Sequence, residues 1–566
     1  MLNTRRSRHA FAALLVAGLL AGPVLAQSSF RGFWADAFSV GFKSQSEINN
    51  MVSRAVSGRY NALVVEVLAF HDNVGSGHGA YWNSAIVPKA ADISPPSLDP
   101  LAATITAAHA AGLEVHAWIV PYRVCSVWPP ANNPYLAAHP EFLMVPRAAI
   151  DGGPATVGGY YTLDPGSPHA QEYLTSIVRE LVTNYAIDGI NLDYIRYVTT
   201  DAGYPAVASY NASSLARFQQ ITGFVGVPAA TGVTAWNDFR RRTIDEYVRR
   251  LRAEMPSIPN PRQPLRLSGD LICFGNAPAN FTSSDAYNLH QNWRMWMEKG
   301  WLDTGMPMNY KREHNSNEAS WYRNWVNAAI GWRYNRHMVT GQAPYLNTKA
   351  NSVTQLAYGL NAGSNGVITF SYDATADENT NGTPETDWTW YTYVSANLFT
   401  SNATIPTMPW RNPATAIEGT LWGRVTDGDT GEPIDDASVQ VGALAPVQTD
   451  GNGYWVVTLI PATAAGTQYN VTASRSGCPP VTANSVPVFA GGVARRDIAI
   501  CRTTPLFGDF DLDGDVDFLD VDTFAFCWGG PDALYPVGNL CLRGDGEGDR
   551  DVDLLDFSMF QTAFGQ

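Results

Sequence analysis

The sequence predicts three folded parts in series: a parallel (β/α)8 barrel, an all-β sandwich and a small helical module built on paired acidic loops. Three observations predict it. Short β-rich runs alternate with helical stretches from Arg31 to about Phe399, Val/Thr/Gly/Pro-rich runs fill Gly419–Ile500, and a duplicated acidic pattern closes the chain. At 566 residues the chain exceeds one ordinary domain, and 45% apolar residues supply a sizeable core.

The barrel rests on eight strand candidates: Gly32–Phe38, Ala62–Leu68, Glu114–Val120, Gly189–Asp193, Arg266–Ile272, Thr304–Tyr310, Met338–Ala343 and Gly366–Tyr372. Amphipathic segments lie between them, among them Pro100–Ala111, Gln171–Tyr185, Asn237–Met255 and Val353–Leu360. That alternation implies parallel pairing with right-handed crossovers, and closure removes exposed edges. An open doubly wound sheet is the alternative, but no Gly-rich nucleotide loop accompanies it. Long loops are expected at Phe70–Pro95, Val124–Thr162 and Tyr372–Thr389, and Ser401–Pro413 reads as a linker. His71, Asp72 and His78 share the first of these loops at irregular spacing, which favours a surface loop over a metal site. The domain boundaries are 29–405 for the barrel, 416–502 for the sandwich and 506–566 for the helical module.

The first residues set the compartment. Arg5, Arg6 and Arg8 precede an apolar run from Ala10 to Leu20, and Val24-Leu25-Ala26 offers a small-residue cleavage site. Residues 1–26 are expected to be a signal peptide, giving a secreted or surface-associated protein with no transmembrane segment. Six cysteines suit an oxidising compartment: Cys478 with Cys501 and Cys527 with Cys541 are the candidate disulfides, leaving Cys125 and Cys273 free. A formal net charge of −15 argues against a nucleic-acid partner. Seventeen Trp and 25 Tyr beside only 16% charged residues suit rings that stack on sugar faces, and suit an aromatic core equally.

In the tail, Asp509, Asp511, Asp513, Gly514, Asp517 and Asp520 occupy positions 1, 3, 5, 6, 9 and 12 of a twelve-residue loop, with the Asp515 carbonyl at position 7. Carboxylates at alternate positions of a tight turn converge on one hard cation, so calcium is the expected cofactor, in a structural role. A second copy carries Asp545, Glu547, Asp549, Asp551, Asp553 and Asp556, with Arg550 in place of the glycine. A weaker site with a positive charge beside the ion is expected there. Two EF-hand-like loops, each leading into a short helix, resemble a dockerin type I repeat pair, and the resemblance implies a cohesin-like partner. The stretches Gly423–Asp427, Thr430–Ile434, Ala437–Val439 and Thr449–Tyr454 resemble the carboxypeptidase-regulatory-like family; they carry no catalytic constellation, so a spacer or accessory role is expected.

Active sites of such barrels sit at the C-terminal strand ends. The sharpest candidate is Asp188-Gly-Ile-Asn-Leu-Asp193-Tyr-Ile-Arg196-Tyr197, an apolar strand that ends in a carboxylate with a cation nearby. Together with Arg31–Asp36, Asn61–Val67, Asp99–Leu101, Ala108–Trp118 and Pro121–Val124, this stretch resembles glycosyl-hydrolase-like family 10, the DUF187 group. The resemblance implies a glycan substrate and O-glycoside hydrolysis. Glu66 and Leu68 stand where the family often has Gln and Arg, and Pro307-Met-Asn-Tyr310 replaces its Pro-Gln-x-Tyr; both departures bear on substrate more than fold.

Hydrolysis of a glycoside needs two carboxyls. Asp193 is the first candidate. Glu313 is the favoured acid, with Asp270, Glu66 and Asp373 competing. His116, Trp118, Tyr122, Arg123, Arg196, Tyr197, Asn309, Tyr310 and Tyr372 are further candidate substrate contacts. The alternatives to an enzyme are a noncatalytic carbohydrate-binding protein and a surface-assembly protein.

Overall fold

The computed structural model describes residues 28–150, 152–197, 210–229, 232–501, 506–510, 515–531, 533–535 and 539–564. The expected signal peptide, and the metal candidates Asp511 and Asp513, lie outside them. Eight parallel strands close a barrel: β1 Phe30–Ala35, β2 Ala62–Leu68, β3 Glu114–Ile119, β4 Gly189–Leu192, β5 Arg266–Leu271, β6 Thr304–Pro307, β7 His337–Gln342 and β8 Gly366–Phe370. Neighbours follow chain order around the ring, with β8 pairing β1. Nearly every strand residue is buried, as strands covered on both faces must be. Inside the ring Phe30, Trp34, Val64, Trp118, Met306, Val339 and Ile368 pack together. Burying one such large side chain stabilises the fold by about 2–3 kcal/mol.

Strand ends differ from expectation where side chains take over the backbone. The first strand stops at Ala35 because Oδ1 of Asp36 accepts the N–H groups of Phe38 and Ser39, both at 3.0 Å, and turns the chain out of the sheet. The sixth stops at Pro307, where Asn309 N–H donates back to the Pro307 carbonyl at 2.9 Å. Helices begin at side-chain caps: Asp99 accepts from Ala102 N–H at 3.0 Å ahead of Pro100, and Thr348 accepts from Asn351 N–H at 3.1 Å. The segment expected over Asn237–Met255 is a helix over Thr234–Ser257.

Residues 401–413 are not a free linker. Their carbonyls accept from Arg31 (Ser401, 2.6 Å), Asn61 (Ala403, 3.1 Å) and Ser29 N–H (Thr404, 2.8 Å), while Trp410 and Arg411 bond the buried Asp303 carboxylate at 2.7 and 3.1 Å. The segment straps the floor of the barrel, at the N-terminal strand ends.

The sandwich has eight strands: β9 Glu418–Asp427, β10 Ser438–Val441, β11 Val447–Gln448, β12 Tyr454–Pro461, β13 Thr467–Ser474, β14 Val481–Val488, β15 Val493–Arg495 and β16 Ile498–Ile500. One sheet runs β12-β9-β15 with β16 also on β9; the other runs β11-β10-β13-β14. Trp422 and Val456 pack on Ala253 of helix Thr234–Ser257. Around that contact Arg217 pairs with Asp435 at 2.6 Å and Arg242 with Asp436 at 2.7 Å.

The tail carries helices Phe518–Cys527 and Leu554–Ala563 around Phe510, Val516, Phe524, Val552 and Phe560. Both expected disulfides form, and Cys125 and Cys273 are free and buried. Among the described residues no helix is long and apolar enough to cross a membrane.

Candidate active site

A cavity of about 370 Å³ opens at the C-terminal mouth of the barrel. Its acids come from four strand ends: Asp36 just past β1, Glu66 on β2, Asp193 just past β4 and Asp270 on β5. Its walls are Trp34, Phe38, Trp118, Tyr194, Met308, Tyr310 and Phe370, and Arg123 is its cation. Strand register explains the convergence. Leu192 pairs with Gly269, so Asp193 and Asp270 follow at one level of adjacent strands, about 4.8 Å apart at the backbone. Glu66 pairs with Trp118, and Trp118 with Asn191.

Each acid has its own surroundings. Burial raises Asp193, opposed by the Arg196 guanidinium, by the Tyr194 N–H at 2.6 Å, and by Arg123 and Trp118. Burial pushes Asp270 well above the carboxylate range; the Asp193 charge adds to this, and Asn191, donating at 3.1 Å, works against it. Glu66 accepts the Ala37 N–H at 2.8 Å, yet burial carries it up to about 8, helped by Asp36 and Asp193 and opposed by Arg123. Asp36 is likewise raised by burial and by Asp373. Desolvation is the largest cause in all four; it is strong enough to keep the proton on Glu66 and Asp270 at neutral pH, while at Asp193 it is opposed by Arg196, Arg123 and the Tyr194 N–H.

Of the residues singled out in the sequence, Asp193, Asp270, Glu66, Trp118, Arg123 and Tyr310 line the cavity. Arg196 stands behind it, 4.1 Å over the Tyr194 ring. Glu313 does not line it: both its carboxylate oxygens are taken by Arg323, at 2.5 and 3.1 Å, and Gln355 donates to it at 3.3 Å. The favoured acid is therefore displaced, because the chain turns away after Pro307. His116 sits near the start of β3, fully buried, bonded to Glu114 at 3.0 Å and edge-on to Phe30, so it belongs to the barrel floor. Tyr122 packs on Tyr247, Tyr197 bonds Thr243 at 3.0 Å, and Asn309 donates to the Tyr322 carbonyl at 2.8 Å. Tyr372 stacks on Phe33 and bonds Arg54; Asp373 accepts from Ser371 at 2.9 Å behind Asp36. None of these five faces the cavity. Asp36, Trp34, Phe38, Tyr194, Met308 and Phe370 were not singled out, although Asp36 ends a strand as Asp193 does. The 71–78 loop reaches the surface at Val74–Ser76, as expected, but its start does not: His71 and Asp72 are buried, and Asp72 pairs with His78 at 2.5 Å.

In the tail the two loops repeat one pattern. Asp520 accepts from Phe510 N–H (2.7 Å) and Asp517 N–H (2.9 Å); Asp556 accepts from Gly546 N–H (2.6 Å) and Asp553 N–H (2.7 Å). Asp509, at the first position of its loop, is buried. Carboxylate oxygens of Glu547, Asp553 and Asp556 lie within 4.8 Å of one another. Arg550 takes a left-handed φ of 77°, but its guanidinium bonds the Tyr535 carbonyl at 2.8 Å instead of standing among the acids. Asp545 accepts from Gly548, Asp549 and Arg550 N–H groups, and Asp551 N–H donates to Asp549 at 3.2 Å. The Asp515 carboxylate turns to Arg496 of the sandwich at 2.8 Å.

Comparison with known proteins finds the glycosyl hydrolase-like 10 family model over residues 29–353 and a carboxypeptidase regulatory-like domain over 420–500. Glycosyl hydrolase DigH of Escherichia coli strain K12 is 35% identical over 123 residues, 20% of this chain and 27% of that protein. Glycosyl hydrolase YngK of Bacillus subtilis strain 168 is 24% identical over 268 residues, 44% of this chain and 46% of that protein. The chain thus spans between about a quarter and a half of these curated relatives. Among solved structures, the catalytic domain of a β-amylase from Paenibacillus polymyxa aligns with TM-score 0.44 and 11% identity, covering 66% of this chain and 98% of that one. At that level the likeness says nothing of chemistry.

Proposed function

Because the chain belongs to the glycosyl hydrolase-like 10 family, we propose that it hydrolyses O-glycosidic bonds of a polysaccharide or cell-wall glycan, with Asp193 and Asp270 as its two carboxyls. One observation carries the reading: two acids at one level of adjacent strands share a cavity walled by aromatic rings. Such hydrolysis needs one ionised and one protonated carboxyl. Arg196 and the Tyr194 N–H favour charge on Asp193, while burial and the Asp193 charge keep the proton on Asp270. In this reading Asp270 gives its proton to the leaving oxygen as the glycosidic C–O bond breaks, and Asp193 bonds the anomeric carbon. Water then displaces Asp193 and yields its proton to the Asp270 carboxylate.

The test is a screen of the full chain on peptide-free peptidoglycan and on plant and algal polysaccharides, read as new reducing ends. Asp193→Asn and Asp270→Asn should each lower kcat by about a thousandfold or more while glycan binding persists. Wild-type turnover in either variant would remove that residue from the pair. A wild-type chain that binds glycan without cutting it would favour the noncatalytic carbohydrate-binding reading.

For the tail we read a calcium-dependent, dockerin-like module on an exported protein, with a cohesin-like partner. Supporting this are the carboxylate trio Glu547, Asp553 and Asp556, all hard oxygen donors, and the repeated loop-and-helix pattern. Calcium, when bound, would hold Asp509, Asp517 and Asp520 in one loop and that trio in the other. Chelation should lower the tail's melting temperature and restored calcium should raise it; calorimetry that shows no change would end this reading.

A further inference from the structure

The cavity holds four carboxyls and one cation, yet Arg123 has no ion pair among the described residues. Its guanidinium is held by rings, with Phe70, Tyr160 and Tyr194 centred 5.1, 4.8 and 4.5 Å from its central carbon. Ring faces fix a guanidinium without using its in-plane N–H donors. The mount is itself braced. His78 stacks on Phe70 at 4.0 Å with its plane 3° off parallel, and Asp72 holds His78 from behind. The Arg123 backbone pairs with Thr162 in the short antiparallel ladder of Arg123–Cys125 with Tyr161–Thr162.

The neighbouring acids balance this charge only in part. Glu66 stays protonated to about pH 8, Asp270 is also held protonated, and Asp193 is shared with Arg196, which acts on it more strongly than Arg123 does. A cation fixed by rings, with unused donors at the wall of a cavity, is a receptor for an anion that arrives with the ligand. Fork-shaped donors match a carboxylate in two parallel bonds. The chain as a whole, at a formal net charge of −15, gives a polyanion no general attraction, so recognition must be local.

We propose that Arg123 binds a carboxylate borne by the sugar in the cavity, and that the glycan is an acidic one. This rests on the reading of the cavity as a glycan site. The test measures binding of the full chain by calorimetry to peptide-free peptidoglycan strands and to polygalacturonate. Each polymer is used native and after carbodiimide activation and borohydride reduction of its carboxyls.

At least one native polymer should bind about tenfold or more tightly than its reduced form. Arg123→Gln should abolish that preference, and Arg123→Lys should keep part of it. Equal binding of native and reduced forms, or a preference that survives Arg123→Gln, overturns the proposal. So does a variant whose sole defect is a shifted pH profile, since Arg123 would then serve only to tune Glu66 and Asp193. Carboxylate-dependent binding without cleavage would overturn the hydrolase reading and leave this one standing. No binding of either native polymer would count against both.

Discussion

Glu66 is a buried carboxyl that accepts the Ala37 N–H and has no cation in contact, so the folded chain prefers it protonated up to about pH 8. The unfolded chain ionises it near 4.5. Its pKa is thus higher in the folded state, and its contribution to stability is full below about pH 4.5 and is lost as pH rises towards 8. Urea unfolding at pH 5 and pH 8 should show a larger loss for the wild type than for Glu66→Gln. Equal slopes would mean that Glu66 ionises freely in the fold. Glu313 gives the opposite case. Its charge is satisfied by Arg323 and it does not line the cavity, so Glu313→Gln should leave kcat within about threefold, against about a thousandfold for Asp270→Asn. A kcat for Glu313→Gln as low as that of Asp270→Asn would return Glu313 to the chemistry.

Helix Thr234–Ser257 serves two partners: Arg252 bonds the Gly300 carbonyl of the barrel at 2.8 Å, while Arg242 and Arg249 bond Asp436 (2.7 Å) and the Gln448 carbonyl (2.6 Å) of the sandwich. Arg217, from the neighbouring helix Ala212–Thr222, bonds both Glu246 (3.1 Å) and Asp435 (2.6 Å), all three substantially buried. Removing the cation takes the close partner from Asp435 and leaves Glu246 with Arg242 alone, at 2.7 Å, which costs about 3 kcal/mol. Arg217→Met should therefore lower the melting temperature, and adding Glu246→Gln with Asp435→Asn should recover part of the loss. A melting temperature unchanged by Arg217→Met would show that water already solvates the pair. That the helix exists was legible in its periodicity. The sandwich partners of its arginines were not, since Asp436 lies 194 residues beyond Arg242 in sequence.

At the scale of the molecule, the barrel and sandwich share a contact of Ala253, Trp422 and Val456, ringed by Arg–carboxylate pairs. The strap of residues 401–413 binds the barrel floor through Asp303, Arg31 and Asn61. A chain ended after residue 416 keeps the strap but exposes Ala253 and leaves Glu246 without the Asp435 side of its network. Its barrel should melt at least about 5 °C below the full chain, as read by calorimetry. An unchanged transition would show that the sandwich is energetically independent.

The sequence by itself determined the ring of eight strands, the sandwich, both disulfides and Asp193 as the carboxylate leaving the fourth strand. Alternation of β-rich and helical runs is local, and so is a strand that ends in Gly-Ile-Asn-Leu-Asp. Only the tertiary structure decided which second acid faces Asp193. That choice depends on register between strands and on where a chain turns after its strand: the turn past Pro307 carries Glu313 to Arg323, while pairing of Leu192 with Gly269 sets Asp270 beside Asp193. Neither is written in the spacing of residues along the chain. Desolvation, the largest cause of every shift among these acids, arises only once the barrel has closed around them.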